Sequence, residues 1–456
     1  MSAPASPKPA VPLNPRTWLS NWTPEDPGFW VSSGSKLAWR TLTITTLNLT
    51  VAFIVWFVVS AVVVRLPNVG FKLSVSELFW LTAMPGLAAG ILRMVHTFLI
   101  PIYGTRHVVT FSTLALFIPI TGWFFAVQHP SVPYGVLLLL AFLAGLGGGN
   151  FSSFMPSTSL FFPKRLLGTA LGIQGGIGNF GVSVVQFLTP WIIGFGLFGS
   201  LAGEPQVFTP TAGGEAKPIW LQNAMLIYVP FLLVFVVVAW IGLRSVPVRA
   251  NFREQLDIFR NKNTWLMMSL YIMTFGSFSG FSATFPMLIK QLYGVLPGGP
   301  DPLAYAFLGP LIGSTARVLA GPVSDRFGGA RVTQVAAVGL LACGIGVLFY
   351  TRPTSMAEFP LFIGLMLGLF FFSGIGNAST FKQISMIFAP RQASGVIGFT
   401  AAMAAFGPFL WGMLIGASFS ATGSVNAFLV GLVVFYGLNI LINWWYYARK
   451  GAEIPC

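Results

Sequence analysis

The chain has 456 residues, 55% of them apolar, and only 8% carry a formal charge: 25 Lys or Arg against 11 Asp or Glu. Soluble domains average about 25% charged residues, so composition excludes an ordinary water-soluble enzyme. The two cysteines, Cys343 and Cys456, lie far apart without metal or redox spacing, which excludes a disulfide scaffold. Three histidines are too few for a multi-His metal site, and no HExxH, P-loop, nucleophile elbow or CxxC motif occurs. The chain is therefore not expected to be an enzyme or to carry a cofactor or metal.

Residues 1–41 are polar and Pro-rich, with no apolar run beside a cleavage site, and do not form a secretory signal. A membrane helix needs about 20 mostly apolar residues. Twelve stretches qualify, at roughly 42–64, 75–98, 108–128, 133–155, 167–197, 219–243, 264–289, 302–322, 332–351, 359–388, 394–418 and 426–448. Residues 199–218, rich in Gly and Pro, are expected to form an external loop. The polar, charged stretch 244–263 reads as a linker between an N-terminal six-helix bundle (42–243) and a C-terminal one (264–448), followed by a tail at 449–456.

Basic residues set the orientation. With the N-terminus inside, 17 Lys or Arg fall in cytoplasmic segments and five (Arg65, Lys72, Lys217, Lys290, Arg352) in outer loops. Both termini are thus expected in the cytoplasm. The net charge of +14 reports topology, and no nucleic-acid partner is expected. The remaining three cations, Arg93, Arg317 and Lys382, fall inside spans, whereas the 11 carboxylates are expected outside the membrane interior.

The chain also matches itself at an offset near 225. Gly147-Gly148-Gly149-Asn150-Phe151 pairs with Gly374-Ile375-Gly376-Asn377-Ala378 at offset 227, Arg93 and Gly104 with Arg317 and Gly328 at 224, and Gly172 and Phe180-Gly181 with Gly398 and Phe406-Gly407 at 226. Each match links span n to span n+6. This duplication resembles the architecture of the major facilitator superfamily, an all-α membrane fold of 12 helices in two pseudo-symmetric six-helix bundles with substrate bound between them. Gly321-Pro322-Val323-Ser324-Asp325-Arg326-Phe327-Gly328 looks like that superfamily's loop signature. The equivalent loop after span 2 keeps Gly104 and Arg106 but lacks the Asp-Arg pair, so the two loops are expected to be secured differently.

A charge within a span costs at least about 2.5–3.5 kcal/mol, and Arg cannot escape by deprotonating. Arg93 and Arg317 need a partner, and the simplest one missing from the chain is an anion brought from outside. Their planar forks suit a small oxyanion. The alternatives are snorkelling to an interface and bonding to helix carbonyls. Asn150, Asn179 and Asn377 can contact the anion or tie helices together. Gly175, Gly176, Gly178, Gly374 and Gly376 permit close packing or sliding of helices.

These residues resemble the nitrate/nitrite porter family of NarK-type bacterial transporters over nearly the whole chain. The resemblance rests on Ala170-Leu171-Gly172-Ile173-Gln174-Gly175-Gly176-Ile177-Gly178-Asn179-Phe180-Gly181, on Gly374 to Phe381, and on Tyr271-Ile272-Met273-Thr274-Phe275-Gly276-Ser277-Phe278. It implies nitrate or nitrite clamped by Arg93 and Arg317, bonded by Asn179 and Tyr271, with Phe151 and Phe275 packing above and below its plane. It also implies alternating access by a monomer in the lipid bilayer of the cytoplasmic (inner) membrane. Lys382 departs from the neutral residue of close relatives and either adds charge to the inner path or snorkels. With no intramembrane carboxylate as a proton relay, nitrate/nitrite exchange is the expected coupling. The alternative is proton–nitrate symport, with His96, three residues after Arg93, as its candidate.

Overall fold

The computed structural model describes residues 17–209, 215–247, 256–294 and 296–456. The expected cytoplasmic positions 1–16 and the linker positions 248–255 lie outside the described residues. Twelve long helices follow one another: α1 (Pro27–Val63), α2 (Val75–His96), α3 (Leu99–Ala126), α4 (Tyr134–Phe161), α5 (Lys164–Ile192), α6 (Asn223–Gly242), α7 (Lys262–Leu292), α8 (Leu303–Phe327), α9 (Gly329–Leu348), α10 (Met356–Ile387), α11 (Gly395–Thr422) and α12 (Asn426–Ala448). Eleven of them are long and apolar enough to cross a membrane. The exception is α5, whose 29 residues reach far enough but include Gln174, Asn179, Ser183, Gln186 and a run of glycines.

Three local features differ from the sequence expectation. First, α1 begins at Pro27, well before residue 42. Asp26 caps it, its Oδ1 accepting from Gly28 N at 2.9 Å, and Pro27 occupies the first turn, where no N–H is needed. Second, the loop after α5 holds a two-stranded antiparallel ribbon, β1 (Gln206–Phe208) against β2 (Lys217–Ile219). Third, three carboxylates lie within these helices, one of them Glu358 at the start of α10. Glu77 closes a capping box with Ser74 in the first turn of α2, and Asp325 sits in the last turn of α8.

α1 packs on α5, α2 on α4, and α10 on both α8 and α9; α5 also crosses α8, and α2 crosses α11. Small residues set these approaches. A Cβ on Gly172 of α5 would stand 3.1 Å from the Cα of Gly321 on α8. One on Gly374 of α10 would overlap the carbonyl of Gly313 on α8.

Gly104 (φ 74°), at a kink within α3, and Gly328 (88°), between α8 and α9, have positive φ, a backbone that a side chain rarely tolerates. Gly104 is backed by chain that follows α6, and Gly328 by chain that follows α12. Ser245, after α6, lies against Gly104, and its hydroxyl accepts from Arg106 N at 3.3 Å. Trp18 pairs with Ser245 and fills the remaining space at Gly104. After α12, Cys456 lies against Gly328, its carbonyl accepting from Ala330 N at 2.9 Å.

Candidate functional site

Arg93 of α2 and Arg317 of α8 are both fully buried in the interior. Arg93 donates from Nε to Gly148 O of α4 at 2.6 Å and from Nη1 to Ala401 O of α11 at 2.7 Å, while Nη2 has no partner. Helix carbonyls thus satisfy part of Arg93, as one sequence alternative allowed. Arg317 has less: Nη2 donates to Tyr271 Oη at 3.4 Å, and Nε and Nη1 have no partner. Among the described residues no carboxylate pairs with either; the ion pairs there are Arg65–Asp301, Lys262–Glu453 and Lys382–Asp325.

Both guanidinium groups lie over the same two rings. Arg93 Cζ is 4.5 Å from the Phe151 centroid and 4.9 Å from that of Phe275; Arg317 Cζ is 5.4 and 5.9 Å away. The two cations are therefore no farther apart than their two distances to Phe151 taken together. The local backbone explains how α7 supplies its part. Ile272–Gly276 forms a π turn inside α7, a widening often found at functional sites. It lets Tyr271 and Phe275 stack with centroids 5.4 Å apart and planes 2° from parallel.

Phe151 and Phe275 stack on each other, with centroids 5.4 Å apart and a 28° tilt. That contact closes the slot expected between them, so in this conformation no flat anion fits with one ring above and the other below. Asn179 of α5 is fully buried with neither amide atom partnered, and Asn377 of α10 is the same. Buried polar atoms in folded proteins are nearly always hydrogen-bonded. Here unpartnered guanidinium and amide atoms are all buried inside the protein.

Of the signature glycines, Gly175 makes room for Arg317. A Cβ there would run into the guanidinium, with Nε and Nη2 at 2.5 Å. Gly176 clears Ser314 O and Val318 of α8, Gly178 clears Leu49 of α1, and Gly376 clears Thr274 of α7. His96 shares an interior face with Arg93, its Nδ1 2.9 Å from Ser153 Oγ. The same hydroxyl also lies 3.1 Å from Asn150 O.

Lys382 neither snorkels nor stands free. Its Nζ is 2.7 Å from Asp325 Oδ1, and both side chains are mostly buried. The other Asp325 oxygen accepts from Thr169 N at 2.9 Å and Thr169 Oγ1 at 2.8 Å, at the start of α5. One carboxylate therefore ties α8, α10 and α5 at one end of the molecule. At the opposite end, Arg65 pairs with Asp301, Ser183 Oγ donates to Phe307 O at 2.9 Å, and Gln186 Nε2 donates to Ser282 O at 3.0 Å. Polar contacts thus bridge the helices at both ends.

Comparison with known proteins places this geometry. Residues 44–372 match the family model of the Major Facilitator Superfamily. The chain is 67% identical over 440 residues to the probable nitrate/nitrite antiporter NarK2 of Thermus thermophilus, covering 96% of this chain and 98% of that one. The chain belongs to the NarK-type nitrate/nitrite porters of the major facilitator superfamily. The Escherichia coli nitrate/nitrite transporter NarU is 37% identical to this porter, with 96% and 97% of the two chains covered. The fold matches that of the solved proton:xylose symporter XylE at a TM-score of 0.67, 14% identity and 90% and 96% coverage. The porter is accordingly an all-helical, multi-pass membrane protein of a transporter family.

Two aromatics of the interior escape a reading of the sequence. Phe381 stacks on Tyr271 with centroids 4.4 Å apart and lies under Arg317 Cζ at 5.4 Å. Its one signal is its place a helical turn after Asn377 in the α10 signature. Trp56 of α1 lies 5.2 Å from Arg93 Cζ, and nothing in its apolar neighbourhood marks it.

Proposed function

We propose that the chain is a nitrate/nitrite antiporter of the bacterial cytoplasmic membrane, exchanging one anion for the other by alternating access. Two six-helix bundles, 42–243 and 264–448, meet along α5/α8 and α2/α11, with both termini in the cytoplasm. The 17-to-5 distribution of basic residues supports that orientation. The monomer is the working unit, and the solutes and the lipid bilayer are its partners.

The observation that carries the reading is the pair of fully buried guanidinium groups, each with unpartnered N–H donors and no carboxylate beside it. One monovalent anion lowers the local charge from two positive to one. Its trigonal oxygens meet the Arg317 Nε and Nη1 donors and the Arg93 Nη2 donor, and Asn179 and Tyr271 supply further bonds. Phe151 and Phe275 must part to admit it, which makes them an inner door. The end closed by Asp325, Thr169 and Lys382 is the cytoplasmic gate, and the end closed by Arg65 and Asp301 is the outer one.

Exchange follows from the same charges. At an effective dielectric constant of about 20, two cations this close repel by at least about 1.7 kcal/mol, so the empty interior resists closing and a counter-anion relieves it. The test is uptake of labelled nitrate into proteoliposomes. Uptake that requires internal nitrite is expected. Uptake into nitrite-free vesicles driven by an imposed pH gradient would establish proton symport instead, with His96 as the first group to examine.

A further inference from the structure

Beyond the transport path, a cavity of 530 Å³ opens between the loop after α8 and the chain after α12. Its charged lining is Arg326, Arg331, Lys382, Arg449 and Lys450, against the side-chain carboxylate of Asp325 and the main-chain carboxylate of Cys456. The Asp325 carboxylate is already engaged by Lys382 and Thr169. Burial pushes the Cys456 thiol at its edge up to about 12, so that group adds no negative charge. Glu453, nearby in sequence, is spent on Lys262. The corresponding place in the N-terminal half is filled: Trp18 and Ser245 pack on Gly104 there. In the C-terminal half the glycine is backed by Cys456 and the space beside it stays open.

We propose that this cavity is a binding site for a phosphate group, distinct from the nitrate path and coupled to the gate through Lys382. With Lys382 paired to Asp325, the four remaining cations still exceed the Cys456 carboxylate and a monovalent anion together, and the planar forks of three arginines match phosphate oxygens in pairs. The volume lies within the range of small-ligand sites. A phosphate in the cavity competes with Asp325 for Lys382, the one cation that belongs both to the lining and to the tie between α8 and α10. Occupancy therefore differs between gate-closed and gate-open conformations, and the ligand biases that equilibrium.

The phosphate can belong to a soluble molecule or to a lipid headgroup, and the experiment separates them. The full-length chain is placed in phosphatidylcholine nanodiscs and titrated calorimetrically with pyrophosphate, ionic strength being held constant with chloride. Saturable binding is expected. It should weaken about tenfold or more in the double variant Arg331→Gln/Lys450→Gln, because two charge-assisted contacts are lost. Both side chains are exposed, so the fold is retained, which nitrate exchange by the same preparation verifies. A control pair on another exposed basic stretch, Lys36→Gln/Arg40→Gln, should bind as the parent does. In nanodiscs containing phosphatidylglycerol, loss of pyrophosphate binding identifies the lipid headgroup as the natural occupant, and unchanged affinity identifies a soluble phosphate. Absence of saturable binding in phosphatidylcholine, or an equal loss in the control pair, overturns the proposal. Failure of nitrate exchange in the parent chain would instead count against the transport reading and leave this binding result standing.

Discussion

Arg317→Lys separates charge from shape. Lysine keeps the positive charge, so the interior still attracts an anion, but it replaces a planar fork with a single ammonium. Arg317 has two unpartnered donors, Nε and Nη1, and holds Tyr271 Oη through its third nitrogen. Lysine can reproduce one directed contact to an anion, so at least one charge-assisted hydrogen bond is lost. Such a bond contributes about 1.5–3 kcal/mol, which predicts a roughly 10- to 150-fold weaker apparent affinity for nitrate. Arg317→Gln removes the charge as well. A charge pair at about 4 Å and an effective dielectric constant near 20 interacts by about 4 kcal/mol, so that variant should fall roughly a thousandfold. The assay is counterflow of labelled nitrate into nitrite-loaded proteoliposomes, with reconstituted protein quantified so that insertion and transport are not confused. An Arg317→Lys protein that exchanges within threefold of the parent would refute the paired-bond geometry, whatever Arg317→Gln does.

Three further outcomes follow from contacts at or near the centre. Gly175→Ala places a methyl group against the Arg317 guanidinium; overpacking of this kind costs about 1–3 kcal/mol. Exchange should drop roughly 5- to 150-fold for such a cost while the protein still inserts, and a normal rate would mean that Arg317 moves freely. Asp325→Asn unties Thr169 and leaves Lys382 unpaired, so amide hydrogen exchange at the start of α5 should accelerate by roughly 5- to 150-fold for a loss of about 1–3 kcal/mol; unchanged protection at Thr169 would show that the gate is held elsewhere. His96→Gln keeps a hydrogen-bonding side chain beside Ser153 without a titrating ring. Under the exchange reading its pH profile of nitrate/nitrite counterflow matches the parent's, and a changed profile would transfer the coupling to His96.

Much of the central site can be read from one chain because charge is rare in it. Arg93 and Arg317 stand out against apolar neighbours, and the offset of 224 residues ties them together before any coordinate is known. Their surroundings are harder to read. Lys382 and Asp325 are far apart in sequence and on different helices, so neither announces the other, and Lys382 in isolation looks like an interfacial lysine. Asp325 reads as a loop residue because its stretch carries Pro322 and two glycines, yet α8 runs past it to Phe327. Tyr271 and Phe275 owe their parallel stacking to a π turn that periodicity does not signal. In a chain that is 15% aromatic, Phe381 and Trp56 carry no compositional mark of their nearness to the arginines. The ribbon after α5 leaves no alternating pattern to detect, because its strands are only three residues long.

The make-up of α5 has a consequence for how the protein is made. This helix carries the buried Gln174, Asn179 and Gln186 together with the glycine that shelters Arg317. Such residues lower the driving force for a segment to leave the translocon for lipid by itself. α1, which packs along it and is apolar through most of its length, is synthesised first and already spans the bilayer when α5 emerges. A segment with three buried amides thus enters the membrane against an existing wall, and substitutions that loosen α1 from α5 should lower the yield of inserted protein before they touch transport.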